Sequence, residues 1–226
     1  MIKESIKFFS LAFMAIACSS ASSTDNASSG STWKADSTAV AKLSHSRDSL
    51  NLVLKEEHVE LEKKISELKK KFHTQKDELS GIEFYTHKTF GKHWPMRKTL
   101  TAMTNSNGKS MLESNYFDED WIFHSRISLK FENGEIAESS DVPTFDKNNR
   151  HDNNSDGVYE IVRYLEDSGS LLTKIADNHK GKIYVRFHGR EYYDEVWLNQ
   201  ADRNALHDTW QLGEYISRLK LNEMGI

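Results

Sequence analysis

The hydrophobic pattern of this chain changes period once, at Gly81, and that change limits the folds open to it. From Val40 to Leu79 there is neither proline nor glycine. The apolar residues Leu43, Leu50, Leu54, Leu61, Ile65, Leu68, Phe72 and Leu79 recur there at spacings that put them on one stripe of an α-helix. Arg47, Glu57 and Gln75 interrupt the stripe. The rest of the surface is charged, with Glu60/Lys64 and Glu67/Lys71 in the favourable glutamate-first i,i+4 order. The spacing predicts one helix over residues 39–80, capped by Gly81 and about 60 Å long at the α-helical rise. A stripe this narrow suits a coiled-coil seam, with a stutter near Ile65. It also suits an amphipathic helix folded back on the remainder of the chain.

Behind Gly81 the period becomes two, and strands are expected. Ile82, Phe84 and Thr86 mark the buried face of a first strand. Leu100, Ala102 and Thr104 lead through Asn105-Ser106-Asn107-Gly108 into a hairpin. The clearest strand is 121–131, with Trp121, Phe123, Ile127, Leu129 and Phe131 on one face and His124, Arg126, Ser128 and Lys130 on the other. A short strand around Ile136, a polar loop over 143–157, a strand near 158–164 and another at 183–187 follow. A short helix from about Ser170 turns Leu171, Leu172, Ile175 and Ala176 inward. Asn199-Gln200-Ala201-Asp202 opens a last helix as a capping-box variant, with a stripe of Ala201, Ala205, Leu212, Ile216 and Leu219. The expected class is α+β: a long N-terminal helix, then an antiparallel β-sheet domain over 82–226 packed with a short helix and a C-terminal helix.

The start of the chain concerns location. Lys3 and Lys7 precede an apolar stretch from Phe8 to Ala17, too short for a stop-transfer helix. Ala15-Ile16-Ala17-Cys18 then supplies small residues before the only cysteine of the 226 residues. This resembles the signal peptide and lipobox of bacterial lipoproteins, with Ala15 departing from the usual leucine. Ala15 and Ala17 also compose a site for ordinary signal peptidase, cleaving before the same cysteine. The resemblance implies a signal peptide over 1–17, lipidation (palmitate among the acyl chains) at Cys18, and a serine-rich, lipid-anchored linker over 18–38. Two or three acyl chains hold where one is marginal. Ser19 in place of aspartate implies the outer membrane of a diderm bacterium.

Candidate chemistry is sparse. The formal charge of −4 offers no footprint for nucleic acid. Asp152-Asn153-Asn154-Ser155-Asp156-Gly157 matches the opening of a calcium loop, so Asp152, Asn154 and Asp156, with Glu160 or Asp146 as a further donor, are candidate ligands. The twelfth position is Arg163 rather than glutamate, however, and turn-forming clusters of this kind are ordinary loop material. The ten histidines include no HExxH and no i,i+4 pair on a helix. No serine lies in a G-x-S-x-G elbow. The carboxylate pairs Asp118/Asp120 and Asp194/Glu195 have nothing in sequence to shift them. Tyr184, Arg186 and His188 share the outward side of a strand, with Arg190 just beyond. These suit a partner or an anionic group, or simply a wet face favoured by strand propensity.

The expectation is a non-enzymatic binding or scaffolding lipoprotein of the cell envelope displayed on a helical stalk, with residues 39–80 joining a second copy or a partner helix. The alternatives are an envelope hydrolase built from scattered residues and a calcium-stabilised module.

Overall fold

The computed structural model describes residues 37–91 and 96–224. The signal segment, Cys18, the serine tract through residue 36, and His93 lie outside the described residues. The chain divides into two units, Met1–His45 and Ser46–Ile226. Of the first, only the opening turns of helix α1 (Ser37–Lys69) are described. The second is α+β, with two antiparallel sheets and a C-terminal helix.

α1 stops at Lys69, short of the residue-80 boundary that the sequence suggests, and the chain enters strand β1 (Phe72–Lys76). No breaker causes this. β1 pairs antiparallel with β2 (Glu83–His87), Phe72 opposite His87 and Lys76 opposite Glu83. The carbonyls at the helix end are taken by Lys88, whose Nζ donates to Lys70 O (2.7 Å) and whose N–H donates to Lys71 O (2.9 Å). Tertiary pairing therefore overrides helix propensity, which sums to little over so short a segment. Gly81 caps no helix. At φ +70° it closes the turn between β1 and β2, donating to Asp77 O at 2.7 Å.

The strands β3 (Thr99–Asn105), β4 (Ser110–Asp118), β5 (Arg126–Phe131), β6 (Ile136–Glu138), β7 (Asn149–Asn154) and β8 (Gly157–Arg163) follow. Helix α2 (Ser168–Asn178), strands β9 (Ile183–His188) and β10 (Tyr193–Trp197), and helix α3 (Gln200–Met224) complete the chain. One sheet runs β1-β2-β3-β4-β8-β7 and the other β10-β9-β5-β6. The main core gathers Leu100, Leu112 and Val162 of the larger sheet with Ile127, Leu129, Val185 and Phe187 of the smaller. Leu171, Leu172 and Ile175 of α2 and Ala205 and Leu206 of α3 join them. Each buried valine, leucine, isoleucine or phenylalanine among them contributes about 1.5–3 kcal/mol of hydrophobic free energy.

A smaller core joins the C-terminal turns of α1 to α3. Ile65, Leu68 and Phe72 pack with Tyr85 against Leu212 and Ile216 of α3. The stripe of α1 is thus buried on its own domain from Leu61 onward.

Four local expectations differ from the structure, the first being the polar loop over 143–157, part of which is strand β7 because β8 offers it backbone partners. In β2 the buried residues are Tyr85 and His87, not Phe84 and Thr86, because α1 and α3 cover that face. At the head of α3, Ala201 is exposed and Asp202 buried. The N-cap half of the box forms, with Asp202 N–H donating to Asn199 Oδ1 (2.8 Å), while the return bond comes from the Asn199 side chain, Nδ2 donating to Asp202 Oδ2 (3.0 Å). Asp202 is inward because Arg97 pairs with it and Thr99 Oγ1 donates to it at 2.7 Å. Lastly, the strand expected over 121–131 exists only from Arg126. Phe123 sits at φ +54°, a region most non-glycine residues avoid. The turn there reverses the alternation, so Ile122 and His124 are buried while Trp121 and Phe123 reach the surface.

Candidate functional site

The reversal at Phe123 is held by one carboxylate. Glu160, on β8 beside the edge strand β7, accepts from the backbone N–H groups of Ile122 (2.7 Å), Phe123 (2.8 Å) and His124 (2.6 Å). Its Oε2 also lies 2.8 Å from His124 Nδ1. Burial alone would raise its pKa, but the donors from His124 and the backbone outweigh that and hold the carboxyl below its ordinary value.

The cluster continues inward. His124 Nε2 lies 2.7 Å from Ser114 Oγ, and Ser114 Oγ 2.8 Å from Tyr164 OH. Glu160 accepts only, so a neutral His124 carries its proton on Nδ1 and accepts from Ser114 through Nε2. Ser114 in turn accepts from Tyr164. Serine, histidine and glutamate thus stand in the order and at the spacing of a nucleophile, base and orienting acid. All four residues, however, are fully buried. In this conformation no substrate reaches Ser114 Oγ, and the cluster organises the core. No sequence motif marks it, since the three residues come from β4, the 121–125 turn and β8.

The residues singled out on β9 lie on the opposite, outward side of the smaller sheet. Cross-strand register sets them in rows. Trp197, Tyr184 and Lys130 are successive partners across β10, β9 and β5, as are Glu195, Arg186 and Ser128, and then Tyr193, His188 and Arg126. Arg186 Nε donates to Glu195 Oε1 at 2.6 Å, and its guanidinium lies 4.2 Å over the Tyr193 ring. The Tyr184 hydroxyl donates to Glu195, which raises the phenol's pKa and lowers the carboxyl's. His188 Nε2 is 2.6 Å from Ser128 Oγ, and Ser128 donates to Glu138 at 2.8 Å. Burial, with Arg126 and Arg186 close by, lowers the pKa of His188.

Tyr184, Arg186 and His188 are therefore brought together, and Arg190 is not. Its guanidinium lies 5.3 Å over Phe123, beside the Trp121–Phe123 stack on the neighbouring surface. Tyr193, Glu195 and Trp197 complete the face. Their alternation with Asp194 and Val196 was the available signal.

The calcium candidates are parted by strand alternation. Residues 149–154 and 157–163 form a hairpin with Asn154 opposite Gly157 and His151 opposite Glu160. Asp152 and Asn154 thus point away from the face that carries Glu160. Asn154 Oδ1 accepts from the N–H groups of Asp156 (2.8 Å) and Gly157 (3.2 Å), closing the turn. Asp118 and Asp194 both pair with Lys98. Among the described residues no group of three histidine, cysteine or acidic side chains is placed to hold a metal ion.

Comparison with known proteins adds no relative: no family model matches the chain, and no similar curated protein or solved structure is found.

Proposed function

We propose that this protein is a non-enzymatic binding module of the cell envelope, held to a membrane through lipid on Cys18, whose contact surface is the outer face of the β10-β9-β5-β6 sheet. One observation carries the reading. Trp197 and Tyr193, side by side with Tyr184 and Arg186, remain 58% and 55% exposed, whereas the molecule's serine–histidine–glutamate chemistry is sealed in its core. Exposed aromatics beside an arginine are the residue types that dominate binding hot spots. Full-length protein in detergent, incubated with envelope extract, should retain a partner that Tyr193→Ala/Trp197→Ala loses. Retention of the same partners by the double variant sinks the assignment to this face.

For the N-terminal part of α1 we propose a stalk that pairs with a second helix. Leu52 and Val59, one heptad apart, are both exposed and lie across the helix from the stripe buried on α3. Sedimentation of the full chain in detergent should show association that weakens on dilution. A single species of monomer mass throughout removes the pairing.

A further inference from the structure

We propose that the outer face binds a saccharide bearing a carboxylate, seated in the cleft beside Trp197. The inference rests on this face being the contact surface. The cleft encloses about 320 Å³ and is lined by Lys130, Phe131, Glu132, Lys182, Tyr184 and Trp197, at the small end of the range for ligand pockets. Its floor is the row in which Trp197, Tyr184 and Lys130 are cross-strand partners. The Tyr184 and Trp197 rings stand 4.6 Å apart between centroids and are inclined at 50°. Tyr184 is fixed in that pose by its bond to Glu195, so the wall is formed before a ligand arrives.

Charge selects the ligand's sign. The two arginines on this face are already paired, Arg186 with Glu195 and Arg126 with Glu138. Lys130 and Lys182 have no carboxylate partner among the described residues, although both line the cleft. Glu132, the one acid in the lining, accepts the Lys182 backbone N–H at 3.2 Å. Two ammonium groups against one carboxylate leave the cleft positive and complementary to an anion.

Shape selects the class. A planar aromatic ligand gains most between parallel rings, and these rings are inclined and open to solvent. A pyranose needs only one aromatic surface. Its C–H groups lie on the negative face of the indole, its hydroxyls stay in water, and a ring carboxylate reaches the lysines. Lysine acts there as a point charge without the bidentate geometry of arginine, which suits a carboxylate carried at the edge of a sugar.

The test is calorimetric titration of full-length protein in detergent with a tetrasaccharide alternating glucuronate and N-acetylglucosamine, beside its carboxyl-reduced neutral counterpart. The acidic form should bind at least about tenfold more tightly than the neutral one, a difference well within what charge pairing supplies. Trp197→Ala should weaken both by about tenfold, on the scale of a lost aromatic anchor. Lys130→Gln/Lys182→Gln should abolish the preference for the acidic form while keeping the neutral affinity. All of these side chains lie on the surface, and circular dichroism checks the fold of each variant. Equal affinity for the two saccharides, no binding of either, or binding indifferent to Trp197→Ala overturns the proposal. Partner capture through Tyr193 and Trp197 without saccharide binding ends this inference and keeps the binding-module reading. Loss of both results ends both.

Discussion

Among the described residues serine, histidine, glutamate and tyrosine meet twice, once between the sheets and once on the outer face of the smaller one. Inside, with His124 neutral, the hydrogen bonds among Ser114, His124, Glu160 and Tyr164 run from Tyr164 to Ser114 to His124 to Glu160. Outside, Ser128 donates to Glu138, so the bond between Ser128 and His188 needs the histidine as donor. His188 therefore cannot act as the base for Ser128. The inner cluster has the polarity of a catalytic relay without access, and the outer one has access without the polarity. Distance between a serine and a histidine decides little until both conditions are examined.

The difference between the two clusters is largest at their glutamates. Glu160→Ala strands three buried N–H groups and the His124 ring and should cost about 3–5 kcal/mol in urea denaturation, since each buried donor left without its acceptor costs about 1–3 kcal/mol. Glu138→Ala, on the exposed face, should stay within about 0.5 kcal/mol. If the two variants cost the same, Glu160 does not organise the core.

The serines sharpen it at smaller scale. Ser114→Ala leaves His124 and Tyr164 without their shared partner and should cost about 1–3 kcal/mol, against about 0.5 kcal/mol or less for Ser128→Ala. A thermal melt of each variant beside wild type decides.

Acid probes the same carboxylate. Folding holds Glu160 below its ordinary value of 4.5, so the unfolded chain binds the proton more readily. Its stabilisation is complete above that value and is lost as pH falls through the folded one. Wild-type Tm should drop on acidification below about pH 4.5, with Asp118 and Asp208, likewise lowered, adding to the slope. Glu160→Gln should flatten it; an unchanged slope assigns the acid sensitivity elsewhere.

The smallest expected effect is none at all. A fluorophosphonate probe should leave Ser114 and Ser128 unlabelled in native protein. Labelling of Ser114 would show that the core opens and would restore the hydrolase reading.

Much of the scaffold was legible in the residues. Leu100–Ala102–Thr104, Ile127–Leu129–Phe131 and Ile183–Val185–Phe187 each alternate as their strands require, and Leu171, Leu172 and Ile175 mark α2. The failures share a cause. β1 reads Phe-His-Thr-Gln-Lys and β7 reads Asn-Arg-His-Asp-Asn-Asn, edge strands with almost nothing to bury, formed because a neighbour offers backbone partners. Of the candidate site, Tyr184, Arg186 and His188 were legible from alternation alone. Their relation to Trp197 required the pairing of β9 with β10. The Glu160 cluster was illegible because its members meet only when β4, β8 and the turn at Phe123 come together.

The packing of α1 on α3 bears on the order of assembly. Ile65 and Leu68 come early in the described chain, and Leu212 and Ile216 come near its end. A polypeptide made from its amino terminus can cover this stripe only with Tyr85 of β2 until α3 is released, so the core closes late and by a long-range contact. During that interval the stripe from Leu61 to Phe72 is the surface on which a chaperone, or another unfinished chain, would settle first.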